Sequence, residues 1–229
     1  MRTQQYKKHD RLLIAVDCII LGFDGLQLKA LLIKRDFEPG RGKWSLMGGF
    51  VNKNEDVNKA AVRVLNQLTG LTDIYMEELS CFGEAKRDPG GRVVSIAYFA
   101  LIKLNDYSST LMAEHNSKWF GLSALPKLVF DHREMIKTAK RKLQDRVLSH
   151  PAGFTLLPVR FTLQQLQALY ESIYERKIDK RNFIRRILSL NILKKLNEKE
   201  RHSSRKGAYL YMFDKKQYKT LDKKGIAFS

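Results

Sequence analysis

Between Arg11 and Phe23 the chain reads RLLIAVDCIILGF, an apolar run broken by a single acid, Asp17. A stretch this apolar and this rich in β-branched residues predicts a buried strand. It is too short to span a bilayer and no small-residue cleavage site follows it, so neither a membrane anchor nor a secretory leader is expected. A carboxylate inside such a strand needs a partner. Asp17 is therefore the residue that most needs a reason.

The turn FDG leads into LQLKALLIKR, a second strand that pairs back on the first. Further strands are expected at EELSCFGEAKR and RVVSIAYFALIKL, on either side of the turn DPGG. REMIKTAKRKLQDRVLSH then has helical character, completing a mixed α/β domain up to residue 150. HPAGFTLLP, with two prolines and a glycine, marks the boundary to a second domain at 151–229.

Charge separates the same two halves. Residues 1–150 hold 24 basic and 17 acidic residues; residues 151–229 hold 18 and 7 in about half the length. So basic a C-terminal segment favours a polyanion, with nucleic acid ahead of a membrane surface. The two cysteines, Cys18 and Cys81, form no CxxC pair, which excludes a cysteine zinc site and a disulfide scaffold and suits a reducing cytoplasm.

Met47–Leu71, MGGFVNKNEDVNKAAVRVLNQLTGL, looks like a catalytic motif without its catalysts. Positions 64, 67 and 68 lie at i, i+3 and i+4, one face of a helix. Three carboxylates there would gather Mg²⁺ or Mn²⁺ against a pyrophosphate; the chain has Val64, Gln67 and Leu68. Val57, Ala60, Ala61, Val64, Leu65 and Leu68 instead form one apolar stripe. The segment resembles the Nudix box, G-x5-E-x7-R-E-U-x-E-E-x-G-U with U aliphatic. Gly49, Glu55, Arg63, Leu65, Gly70 and Leu71 match it, and KWSLMGGF stands where the family has W-x-L-P-G-G. The three expected glutamates are the ones missing, so no metal site, no cofactor and no hydrolysis are expected, and Arg63 is expected to bond a carbonyl of the preceding loop.

In the second domain FTLQQLQALYESIYERK predicts a helix opened by a capping box, Thr162 with Gln165. Asp179 can cap a second helix, KRNFIRRILSL. On it Phe183, Ile184, Ile187 and Leu188 fall to one side, and Arg181, Asn182, Arg185, Arg186 and Ser189 to the other. With Lys180, that polar face suits the major groove, where Arg reads guanine and Asn reads adenine; it would equally suit a plain solvated surface. ILKKL and AYLYMF read as a β-hairpin with Arg201, Ser204, Arg205 and Lys206 at its basic tip. Helix, turn, Arg-rich helix and basic hairpin make a winged helix-turn-helix, whose first helix would be supplied by residues 133–148.

The whole chain resembles the Nudix-related transcription regulators, and IAVDCIILGF, RDPGGRVVSIAYFAL and VFDHREM look closest to their arabinose-responsive branch. The resemblance implies an α+β protein, with a Nudix-like mixed-sheet α/β/α domain followed by a C-terminal winged helix-turn-helix. It also implies a homodimeric repressor that binds a double-stranded DNA operator and senses a pentose such as L-arabinose, with no membrane partner. Asp17, Lys34, Trp44, Glu84, Arg87 and His132 are the residues expected to line the sugar site. The same residues would also suit structural ion pairs, with Trp44 as plain core. Two other readings stay open: a divergent Nudix hydrolase acting on nucleoside diphosphate derivatives, and a non-catalytic RNA-binding adaptor.

Overall fold

The structure, a computed structural model, describes residues 7–104, 109–149, 151–201 and 207–222. Its centre is the apolar run itself. Strand β1 (Leu13–Phe23) pairs in parallel with β6 (Val93–Lys103) and antiparallel with β2 (Leu28–Lys34) and β4 (Met47–Phe50). A strand with neighbours on both edges is satisfied only if both of its faces are covered, and they are. Val16, Cys18 and Ile20 pack towards helix α1 (Val57–Thr69), while Ile19, Leu21 and Phe23 pack into a core shared with helix α3 (His132–Ser149). Three short or edge strands complete the seven-stranded sheet: β3 (Trp44–Ser45), β5 (Glu77–Phe82) and β7 (Ser117–Gly121). Helix α2 (Ser109–Glu114) precedes β7. The expected strand at EELSCFGEAKR ends at Phe82, and the residues after it form the loop that carries Arg87.

The C-terminal unit is the expected winged helix. Strand β8 (Phe161–Thr162) leads into α4 (Leu163–Tyr174), where Thr162 and Gln165 cap one another reciprocally. Helix α5 (Lys180–Ser189) is capped by Asp179, whose side chain accepts the Asn182 N–H at 2.8 Å. Strands β9 (Leu193–Glu200) and β10 (Ala208–Phe213) form the hairpin, and β8 pairs with β10 to make a three-stranded sheet. A short helix, α6 (Lys215–Asp222), follows without a counterpart in the sequence reading.

Helix α3 belongs to both units. It runs for 18 residues, about 27 Å at 1.5 Å per residue. Near its start, Met135 and Ile136 join the sheet core; further on, Leu143 and Val147 join Phe154, Leu166 and Leu169 of the winged helix. Polar contacts close the same joint: Tyr174 Oη donates to the Gln144 carbonyl at 3.0 Å and Gln144 Nε2 to the Ile173 carbonyl at 2.8 Å. On the other side of the joint the Leu28 N–H donates to Ser172 Oγ at 2.5 Å. Among the described residues no helix is long and apolar enough to cross a membrane.

Because one core serves both units, Leu143→Ala should destabilise the whole chain by about 2–5 kcal/mol, as for other fully buried leucines. Urea unfolding followed separately through sheet and helix signals should still give one coincident transition. Two separated transitions would show that the units unfold independently.

Candidate functional site

Beneath β4 lies a buried ionic cluster built from four elements. Asp17, mid-strand in β1, is 4% exposed. Its Oδ2 accepts Ser95 Oγ of β6 at 2.6 Å and lies 3.6 Å from Arg87 Nη2. Arg87 makes a two-pronged contact to Asp131, Nε to Oδ2 at 2.8 Å and Nη2 to Oδ1 at 2.7 Å. Its burial works against its charge, but the bonds and charge of Asp131, with Asp17 behind them, outweigh that and hold the guanidinium firmly cationic. His132, at the start of α3, is also buried, and burial pushes its pKa below the usual value so the ring stays neutral. The Leu46 N–H donates to His132 Nδ1 at 3.0 Å, so the ring proton sits on Nε2, which faces Asp17 Oδ1 at 3.5 Å. Gly48 stands opposite Asp17 across the β1–β4 pair, where any Cβ would collide with the carboxylate.

The emptied motif occupies the opposite side of the sheet. Val64 is 2% exposed and packs against Gly49, and Leu68 lies partly buried in the same cluster. Gln67 is exposed and accepts from Arg63 at 3.1 Å. The one remaining acid of the motif, Glu55, accepts the Arg63 Nε–H at 2.9 Å and the Asn52 N–H at 2.7 Å. Arg63, and then the Asn52 N–H, pull its pKa down to about 2. Arg63 also donates at 2.9 Å to the carbonyl of Phe50, the last residue of β4, just before the loop where its partner was expected, while its pairing with Glu55 had not been foreseen. A divalent cation needs several oxygen ligands at one point. Two apolar side chains, an amide and one carboxylate committed to a guanidinium do not fit it.

Of the six residues expected at a ligand site, the structure brings together three: Asp17, Arg87 and His132. Lys34 and Trp44 contact one another, with the ammonium 5.5 Å from the ring centroid, and Trp44 packs edge-on to Phe120 as part of the core. Glu84 is exposed and accepts the Lys86 N–H at 3.1 Å. These three stand apart from the cluster's bonds because closeness in sequence does not fix the direction of a side chain. Asp131, which was not among the six, completes the cluster by holding Arg87. Arg35 and Phe130 border it: the Arg35 guanidinium lies 4.1 Å from the ring of Phe37 and 5.2 Å from that of Phe130, which in turn meets His132 edge-on. Only the positive φ of Phe130, 49°, marks that corner as unusual, and no sequence pattern announces it.

On the winged helix the polar face of α5 is as read. Lys180, Arg181, Asn182, Arg185 and Arg186 are exposed, with Phe183 and Ile187 buried beneath. Arg185 Nη2 donates to Asn182 Oδ1 at 3.2 Å, holding the two groups side by side. Leu188, expected on the apolar side, is 39% exposed, so the buried stripe is narrower than its four predicted members. Arg201 is exposed at the end of β9; Ser204, Arg205 and Lys206 lie outside the described residues.

Comparison with known proteins names this architecture. The NUDIX domain family matches residues 11–139, and the NrtR DNA-binding winged helix domain matches residues 153–213. An ADPR-responsive transcriptional repressor, NtrR, of Acinetobacter baylyi is 34% identical over 220 residues, covering 93% of this chain and 88% of its own. The chain belongs to the NrtR-type Nudix regulators. The crystal structure of Shewanella oneidensis NrtR with a 27mer DNA has a TM-score of 0.75 at 28% identity, covering 90% of this chain and 95% of that one. An ADP-ribose pyrophosphatase of Methanocaldococcus jannaschii is 36% identical over 141 residues, 60% of this chain and 79% of its own.

These relatives do not support the arabinose-responsive branch. The repressor that covers nearly the whole chain responds to ADP-ribose. The stretches that suggested arabinose build β1, β6 and the junction into α3, which are packing and ion-pair segments. They report the scaffold of an NrtR-type regulator and carry little information on its ligand.

The cluster yields a direct stability test. Arg87→Ala would leave Asp17 and Asp131 without their cation, a loss of about 3–5 kcal/mol for a broken buried pair. Urea denaturation of wild type and variant measures it; a change within about 0.5 kcal/mol, as at ordinary surface positions, would mean the cluster is not a structural keystone.

Proposed function

We propose that the chain is a transcriptional repressor whose Nudix domain, residues 1–150, binds ADP-ribose without hydrolysing it. Residues 151–229 bind a double-stranded operator, and two copies pair so that their recognition helices meet successive turns of one DNA face. A cytoplasmic location follows from that role. One observation carries the reading: a Nudix scaffold whose metal face has become core, joined through a continuous helix to a winged helix with an exposed Arg–Asn face.

The loss of the metal face does not by itself rule out a diphosphate ligand, because the protein has cations of its own. A diphosphate can be held by guanidinium and ammonium groups as well as by Mg²⁺. The loop 35–43 supplies them: Arg35 beside Phe37, which is 50% exposed, with Arg41 and Lys43 exposed nearby in the chain. An exposed aromatic ring flanked by cations matches the adenine and the diphosphate of ADP-ribose.

A second reading, a divergent hydrolase, is favoured by the likeness to the Methanocaldococcus pyrophosphatase. It would have to use Glu55, and Glu55 is committed to Arg63 and the Asn52 N–H.

ADP-ribose is expected to weaken DNA binding by the full-length protein by about 5–150-fold, the usual range of such coupling. DNA must then weaken ADP-ribose binding by the same factor. Anisotropy titrations of labelled DNA with and without ADP-ribose, paired with calorimetry of ADP-ribose with and without DNA, measure both sides. An unchanged DNA affinity at saturating ADP-ribose would remove it as the effector.

A further inference from the structure

The hairpin of the winged helix carries an arrangement that its fold does not require. Tyr209 faces Lys199 across the β9–β10 pair, and Tyr211 faces Lys195. Three residues of β9 separate those two pairs against one residue of β10, so β9 bulges there. Tyr209 and Tyr211 are two apart and share a face of the strand. Tyr211 is 9% exposed and belongs to the core; Tyr209 is 41% exposed, where the hairpin runs out past the core. At that point the inner face stops being apolar. Lys195 Nζ lies 3.8 Å and Lys199 Nζ 4.6 Å from the centroid of the Tyr209 ring.

Two ammonium groups drawn to one ring repel each other, and neither forms a salt bridge among the described residues. Of the two acids that flank Lys199, Glu198 and Glu200, the first is held by Arg160 at 2.5 Å. Contact with the ring orients each ammonium but leaves N–H groups free to donate. The phenol adds a third donor. Convergent donors of positive charge on an exposed strand are the chemistry of a phosphate seat.

We propose that Lys195, Tyr209 and Lys199 bind the sugar-phosphate backbone of duplex DNA along the strand face of the wing, rather than at its tip alone. The proposal rests on the DNA-binding reading above. It assigns these residues to positioning, since phosphate contacts fix register without reading sequence. Base preference stays with α5.

The test uses the full-length protein and a DNA duplex that it selects from a random pool. Affinity is measured by anisotropy across a series of KCl concentrations for wild type, Lys195→Gln, Lys199→Gln, the double variant, Tyr209→Phe, Tyr209→Ala and Arg185→Ala. Each lysine variant should reduce the salt slope by about 0.9 and the double variant by about 1.8. The ratio of affinities for selected and scrambled duplexes should not change in the lysine and tyrosine variants, and should fall in Arg185→Ala. Tyr209→Phe should keep most of the affinity that Tyr209→Ala loses. Thermal unfolding of each exposed single variant checks that it is folded. Unchanged slopes in the lysine variants, while Arg185→Ala weakens binding, would overturn this assignment and leave DNA binding standing. Unchanged binding in every variant would overturn both. A lysine variant that lost discrimination between the two duplexes would make it a base contact and overturn the phosphate assignment.

Discussion

One buried carboxyl group organises the Nudix domain. Asp17 sits in the middle of a strand covered on both faces, where an unpartnered polar group is costly. It remains only because several elements meet around it: Ser95 from β6, Arg87 from the loop before β6, and His132 from the start of α3. Gly48 leaves the space. Asp131 then holds Arg87 from the far side, so one cation serves two carboxylates. Removing Arg87 leaves two carboxylates without a cation, which is why the cluster constrains the loop and the helix together. The first residues of α3 are thereby tied to the sheet, while its later turns form part of the winged helix core.

Much of this was legible in the sequence, for local reasons. Burial of β1 from Ala15 onward followed from its composition, though Leu13 and Ile14 at its start are exposed, and the caps of α4 and α5 followed from residues within three positions of each helix start. The loss of the metal face could be read because i, i+3 and i+4 fix a common side of a helix without knowledge of anything else. Val64 accordingly lies in the core and Leu68 packs, partly buried, against it. The demand that Asp17 have a partner was legible too, though not which partner.

What could not be read depends on distant parts of the chain. Arg87 and Asp131 are 44 residues apart, and neither has a local pattern that announces the other. Strands β3 and β4, of two and four residues, are held by their neighbours rather than by propensity. Lys34 and Glu84 were grouped with Asp17 because they stand at or after strand ends, and Trp44 because it stands beside the old substrate loop, but side-chain direction depends on register and turn geometry. The effector went astray for a related reason. The stretches that suggested a pentose are scaffold segments, which report strand packing and an ion pair rather than a ligand.

The account stands or falls on a Nudix domain that binds without cleaving. ³¹P NMR of ADP-ribose incubated with the full-length protein and Mg²⁺ measures this directly. Val64 and Leu68 where carboxylates would be needed, and Glu55 bound to Arg63, predict that the diphosphate resonances persist unchanged through prolonged incubation. Phosphomonoester signals of AMP and ribose phosphate that grow with time, require Mg²⁺ and vanish in Glu55→Gln would contradict it.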